Sequence, residues 1–415
     1  MARKTSTIEQ NIAWNSIGSL FYLGCNWLLT ILVVRLNSSY FEAGILSLGM
    51  SISTALWGLM SLNLRTFQIS DLNGVYTDGD FIINRIATCV VSLLFCSIIV
   101  IYNDYDPYTV KCIFAYMTVK ISEAIVDVFH GIDQKAWRLD IAGKSSILRG
   151  ISVLLAFLAG ELLFHDLLAA IVLMSVSLYA VIIFYDCSVC KKEVGINFTA
   201  RKKNFSSLMY VGIPLGLYMS ILNLIGVVPR LHIEKILGAE KLGIFASIST
   251  ITVLIPQFCS LIFNPLMGIF AQHWEKQNKK SFLRMFWGCF AGILCLGIVV
   301  IIFCFWIGEP LLVLIFGESI RIESTLLVPI VGTAILTTMI WFLGGIFTVL
   351  RDSKFLFGGT LVSFVACFVT SELLIHQNGL IGAVQSTAIG LGLDILLLMI
   401  RFGYFVRVAP TTKLK

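Results

Sequence analysis

The stretch KISEAIVD, residues 120–127, sets Lys120, Glu123 and Asp127 in the middle of the apolar run CIFAYMTVKISEAIVDVF. At about 100° per residue, the three side chains share one narrow face of a helix. An ammonium on such a face can hold an anion, and a carboxylate can bind and release a proton or a small cation. The plainer reading is a Lys–Glu pair at i, i+3 that neutralises itself at a helix–helix contact, with Asp127 snorkelling to an interface. An ionised group in hydrocarbon costs several kcal/mol unless water or a partner faces it. The pattern therefore favours a face that lines a wet path.

Other charges form smaller groups. Arg65, Gln68 and Asp71 in RTFQISD are spaced by three and fall on one face if the helix continues that far. The plain alternative is an arginine at a membrane edge, capped by a nearby acid. Arg138, Asp140, Lys144 and Arg149 cluster around DQKAWRLD and could serve the same mouth. Arg35 and Arg230 end the first and seventh apolar runs at corresponding positions, either as ordinary snorkelling residues or as a pair of cations. Asp394 and Glu372 are further ionisable residues inside apolar runs.

No catalytic engine accompanies these charges. AGKSS (142–146) echoes the end of a phosphate-binding loop, but Arg138 stands where that motif needs its first glycine. The histidines (His130, His165, His232, His273, His376) are dispersed without metal-ligand spacing, and no Gly-x-Ser-x-Gly elbow occurs. The 11 cysteines lie mostly singly in apolar runs, as small hydrophobes. The one close pair, Cys187 and Cys190, lacks the second pair or the histidines that a metal site needs. Neither an enzyme, a metal site nor a bound cofactor is expected, apart from H+ or Na+ as candidate coupling ions.

The elements that must position the charges are long and apolar. The 415 residues are 58% hydrophobic and only 13% charged, with mean hydropathy +0.91. A soluble chain of this length would need far more surface charge, whereas a bilayer needs runs of about 20 apolar residues. Twelve runs are expected, near 14–34, 43–62, 86–102, 109–129, 147–164, 167–185, 207–227, 243–266, 284–307, 324–349, 355–375 and 379–400. The first is too long for a signal-peptide core and has no cleavage site, so it reads as an uncleaved span. GEPLLVLIFGESI, before the tenth run, reads as a candidate re-entrant or interfacial hairpin.

Placing the N-terminus inside puts 23 of the 30 Lys and Arg residues on the cytoplasmic side, Arg3, Lys4, Arg85, Lys413 and Lys415 among them. That bias sets both termini in the cytoplasm and supports an even span count. The net charge of +6 then needs no nucleic-acid partner, since the basic clusters are topology signals that favour anionic membrane lipids. LNSSYFEAGILSLGMSIS (36–53) is echoed by LGAEKLGIFASISTITV (237–253), with Gly-Ile pairs 199 residues apart. The echo implies two parallel six-helix lobes, residues 1–203 with spans 1–6 and 204–415 with spans 7–12, related by an axis along the membrane normal and flanking a central cleft. The expected class is an all-α polytopic membrane protein of transporter type.

The stretches LRTFQISDLNGVYTDGDFIINRI and EAIVDVFHGIDQKAWRLDIAGKSSILRG, with the Gly-Ile repeat, resemble O-antigen and capsular polysaccharide flippases of the Wzx type. These form the polysaccharide transporter branch of the exporter superfamily that also holds the MATE drug exporters and lipid II flippases. The resemblance covers essentially the whole chain. It implies a V-shaped, MATE-like bundle of twelve helices in the bacterial plasma membrane that carries an undecaprenyl-diphosphate-linked oligosaccharide to the outer leaflet by alternating access, driven by an ion gradient or the membrane potential. A polysaccharide polymerase and chain-length proteins are candidate partners.

On that basis Lys120, Arg35, Arg65, Arg230 and Arg149 are candidate cargo-binding residues. Glu123, Asp127 and Asp394 are candidates for ion coupling, and Gln68, Asp71, Arg138 and Asp140 for a cytoplasmic gate. A drug or small-solute antiporter of the same superfamily is the nearest rival, though a cationic-drug exporter would want a more acidic cleft. A membrane glycan polymerase is a more distant one, since the longest outer loop, near 228–242, is too short for its chemistry.

Overall fold

The computed structural model describes residues 7–37, 39–71, 74–196 and 198–408, and Arg3, Lys4, Lys413 and Lys415 lie outside them. The described residues are helical almost throughout and contain no strand. A bilayer supplies no partners for backbone N–H and C=O groups, so helices satisfy their own. Among the described residues, eleven helices are long and apolar enough to cross a membrane.

The chain divides into two compact units, Met1–Asn223 and Leu224–Lys415. The division falls inside a helix rather than in the loop near residue 203. The first unit contains α1 (Ile8–Asn37), α2 (Tyr40–Ser61), α3 (Leu64–Ser70), α4 (Asp78–Asn103), α5 (Pro107–Lys135), α6 (Leu139–Phe164), α7 (Leu167–Val181) and the first part of α8 (Lys202–Leu237). The second unit contains the rest of α8, then α9 (Ala239–Thr252), α10 (Leu254–Glu275), α11 (Lys279–Phe316), α12 (Leu327–Val349), α13 (Ser353–Asn378) and α14 (Leu380–Val408). Helical structure covers each of the twelve expected runs. The charged 109–129 run lies in α5, which is not among the eleven apolar spans.

Polar caps set the helix ends. The Ser39 hydroxyl accepts from the Phe41 N–H before α2, Thr77 and Asp80 form a reciprocal capping box before α4, and Asp106 caps α5 ahead of Pro107. α2 does not run on through RTFQISD as one helix. Leu62 and Asn63 take left-handed conformations, φ 45° and 50°, and α3 restarts beyond them. The expected hairpin before the tenth run is also corrected. α11 continues through Pro310 to Phe316, and the reversal is made at Gly317, φ 99°, followed by 3-10 turns over Glu318–Leu326. Gly317 suits that positive φ because it has no Cβ.

In the first unit α1 lies along α6, α6 along α7, and α2 against α4 and α5. α1 and α6 cross at Gly18 and Gly143, where a Cβ on either residue would collide with the other helix's backbone. In the second unit α10, α11 and α14 pack around α12, with α13 on α14. Its core there is aromatic: Phe402 stacks on Phe286 at 4.1 Å and on Phe282 at 6.4 Å, Phe342 is tilted against Phe286, and Phe270 is edge-on to Phe282 and Phe342.

Candidate functional site

α5 is surrounded within the first unit, and most of its length is buried against α2, α3, α4 and α7. One stripe is not. Lys120, Glu123, Asp127, His130 and Gln134 recur at three- and four-residue steps and are all half-buried. The sequence reading had the first three of these. His130 and Gln134 extend the stripe by two turns, and the same periodicity carried past Asp127 finds them.

Two clusters occupy the stripe. In the first, the Lys120 Nζ donates to Glu123 Oε2 at 2.6 Å, and the Tyr22 hydroxyl from α1 donates to Glu123 Oε1 at 2.7 Å. Lys120 also lies 4.9 Å from the centre of the Trp57 ring on α2, a cation–π contact. The Lys120 and Glu123 side chains keep 21% and 18% exposure, so the pair is sheltered but reachable. Behind it sits Arg149, 2% exposed, over the Tyr22 ring at 5.8 Å and donating to Ser122 Oγ at 3.3 Å. Arg149 is thus not at the mouth with Arg138, Asp140 and Lys144, as its place in sequence suggested. Eleven residues of helix carry it past the α5–α6 turn into the unit's interior, and in this structure it has no surface for cargo.

The second cluster is a clasp around Asp127. Arg65 Nη1 reaches Oδ1 at 3.3 Å, and Arg85 Nη2 reaches Oδ2 at 2.8 Å. Arg65 also donates to Gln134 Oε1 at 2.9 and 3.2 Å. Arg85, 2% exposed, donates its other arm to the Met60 carbonyl at 2.7 Å, near the end of α2. Both Asp127 oxygens are therefore taken by guanidiniums. The sequence reading treated Arg85 only as a topology charge. The capping box at 77–80 marks the true start of α4 and places Arg85 more than a turn inside it, and that was the available signal.

Gln68 and Asp71 meet the same end of α5. Gln68 is 1% exposed and donates to the Val128 carbonyl at 3.2 Å. Asp71 accepts from the Val75 and Tyr76 N–H groups and pairs with Lys135 at 3.6 Å. Burial pushes its carboxyl upward, but these hydrogen bonds and Lys135 outweigh it and hold the group below the usual carboxylate range. Arg138 grips Asp140 in a fork, Nε–Oδ1 2.8 Å and Nη2–Oδ2 3.2 Å, and reaches Glu193 at 3.4 Å. Lys144 joins Asp140 at 3.4 Å.

The remaining candidates lie apart from the stripe. Arg35 is exposed near the end of α1. In the second unit Arg230 is half-buried on α8, and Glu372 is exposed on α13. Asp394 is wholly buried and accepts from Thr360 Oγ1 at 3.1 Å. No group of His, Cys, Asp and Glu suited to a metal ion occurs among the described residues.

Eleven long apolar helices among the described residues, with a charged, partly open stripe on a less lipophilic one, define a multi-pass membrane protein. Residues 81–274, somewhat less than half of the chain, match the family described as polysaccharide biosynthesis protein. The chain is 23% identical over 393 residues to the capsular polysaccharide biosynthesis protein CapF of Staphylococcus aureus, covering 92% of this chain and 95% of that one. Its fold is similar to the lipid II flippase MurJ in an inward closed conformation, with TM-score 0.74, 12% identity, and 94% and 87% of the two chains covered. An inward-facing multidrug resistance MATE transporter of the MOP superfamily aligns with TM-score 0.73 and 12% identity, over 96% and 99%. The resemblance drawn from the sequence is borne out to this extent: part of the chain matches that family's model, and the fold is similar to those of the lipid II flippase and the MATE transporter.

Proposed function

We propose that the protein flips an undecaprenyl-diphosphate-linked oligosaccharide from the cytoplasmic to the outer leaflet of the bacterial plasma membrane by alternating access, coupled to an ion gradient or the membrane potential. Both termini lie in the cytoplasm, and the chain itself performs no catalysis. One observation carries the reading: two partly exposed cations, Lys120 on the open stripe of α5 and Arg65 reaching that stripe from α3, lie along a helix that is otherwise buried. Each is held by a carboxylate that a phosphate can replace, since ammonium and guanidinium groups bind both anions. Trp57 and Tyr22 beside Lys120 offer flat faces to a sugar. The long apolar tail of such a cargo stays in lipid while its charged head crosses. The full-length sequence relation to a capsule-biosynthesis protein supports a glycan cargo.

The test is to delete the gene in its host and measure lipid-linked oligosaccharide in each leaflet. Complete units stalled on the cytoplasmic side, rescued by wild type and not by Lys120→Ala, are expected. A normal distribution in a host lacking a redundant flippase would overturn the reading and bring the solute antiporter forward.

A further inference from the structure

The sequence marks three carboxylates for ion coupling, and the structure gives them different partners. Glu123 is held by the Lys120 ammonium at 2.6 Å and the Tyr22 hydroxyl at 2.7 Å. Asp127 is held by two guanidiniums, Arg65 at 3.3 Å and Arg85 at 2.8 Å. Both therefore face cations that stabilise the ionised form. Asp394 enters no ion pair among the described residues. It is 0% exposed, on a helix that packs against α12 and α13, and its partner is the Thr360 hydroxyl, 3.1 Å from Oδ2 and 3.4 Å from Oδ1.

The hydrogens at this contact can be counted. A threonine hydroxyl has one hydrogen. Thr360 Oγ1 lies 2.9 Å from the Leu356 carbonyl, one turn back on α13, as well as 3.1 Å from Asp394. A carbonyl and an ionised carboxylate only accept, so a single hydrogen must be divided between them. A hydrogen on the carboxyl satisfies both contacts: the acid donates to Thr360 Oγ1, and Thr360 donates to the Leu356 carbonyl.

The surrounding elements supply no counter-charge. α12 has no titratable residue along its whole length. On α14 the next cation, Arg401, lies two turns beyond Asp394 and is taken by Asp352 at 2.8 Å and by the rings of Phe355, Tyr404 and Phe405. On α13, Lys354, Glu372 and His376 are exposed, and the Cys367 thiol donates to the Ile225 carbonyl at 3.4 Å. From α8, His232 is paired with Ser371 at 3.0 Å. No group of His, Cys, Asp and Glu suited to a metal ion includes Asp394 among the described residues. An ionised carboxylate is costly in so dry a place, and a proton removes the charge.

We propose that Asp394 holds a proton in the resting protein and is the coupling carboxylate of the three, while Glu123 and Asp127 stay ionised as counter-ions. Release passes H+ to water and leaves one negative charge between α13 and α14, which favours a rearrangement that brings water to it. Uptake of H+ restores the neutral acid and the packed contact. The coupling rests on the flippase reading, whereas the protonation of Asp394 does not.

The experiment uses the full-length protein in lipid nanodiscs and infrared spectra at neutral pH. A carbonyl stretch of a protonated carboxylic acid should be present in wild type, lose a component in Asp394→Asn, and keep that component in Glu123→Gln and Asp127→Asn. Thr360→Val removes the acceptor and should move the component to higher frequency. Spectra of wild type and Asp394→Asn that match in this region overturn the proposal. Should Asp394→Asn not fold, wild type is treated with a hydrophobic carbodiimide, which modifies protonated carboxyls. An adduct on Asp394 at neutral pH that is lost in alkali supports the site, and no adduct at any pH overturns it.

Coupling is read from flipping of a lipid-linked glycan in proteoliposomes under an imposed proton gradient. Wild type should respond to the gradient, and Asp394→Asn should lose the response. A response absent from wild type, or intact in the variant, overturns the coupling alone. Wild type that fails to flip the glycan overturns the flippase reading and leaves the infrared result to decide the proton.

Discussion

Both units are helical bundles, and they are filled differently. The first buries Asp80, Arg85, Asp133, Asp140, Arg149, Glu161 and Asp186 among its helices. In the second, Asp394 is the sole Asp, Glu, Lys or Arg among the described residues that is fully buried, and phenylalanines fill the comparable space. Hydrocarbon tolerates internal charge only where a partner or water compensates it. The first unit is therefore a set of polar devices held in a bundle, and the second resembles an ordinary dry core.

Asp127→Ala should have the largest effect. It strips the shared counter-ion from Arg65 and the buried Arg85 and should cost about 3–5 kcal/mol. Thermal unfolding in detergent measures this, and an unchanged melting point would mean that the clasp contributes nothing to the first unit. Next comes Phe286→Ala in the second unit, where removing a stacked, fully buried ring should cost about 3 kcal/mol. That loss should be the same at acidic and neutral pH. A pH-dependent loss would break the contrast between wet and dry units.

Asp71→Asn should cost about 1 kcal/mol, like the loss of a helix cap. Because the folded carboxyl sits below its ordinary value, its contribution is present above about pH 3.9 and lost as pH falls through the folded value. Hydrogen exchange at the Tyr76 amide, followed in wild type and variant, should therefore differ at neutral pH and converge in strong acid. The smallest effect is expected for Asp394→Asn. The amide oxygen can still accept from Thr360, so stability should change by less than about 1 kcal/mol. A much larger loss would show that the second unit also compensates a buried charge.

Much of this was legible in the sequence. The twelve apolar runs marked the long helices, eleven of which are apolar enough among the described residues to cross a membrane, and the i, i+3, i+7 spacing of Lys120, Glu123 and Asp127 marked the stripe. Arg85 and Arg149 were misplaced for a common reason. Each is a lone arginine near an apolar run, and whether it ends in headgroups or in a buried clasp depends on residues 42 and 27 positions away in sequence, Asp127 and Ser122. Tyr22 and Trp57 read as ordinary residues of apolar runs until α1 and α2 brought them to α5.

The sequence by itself determined what must be helical and what must lie in lipid, since hydropathy and capping act over one helix length. It also determined that α5 carries charge that hydrocarbon will not accept unaided. Tertiary structure alone decided which partner each charge takes and which stripe stays open. Those outcomes depend on how α1 to α7 meet around α5, and pairing at a few ångströms is set by that packing rather than by any residue's neighbours in the chain.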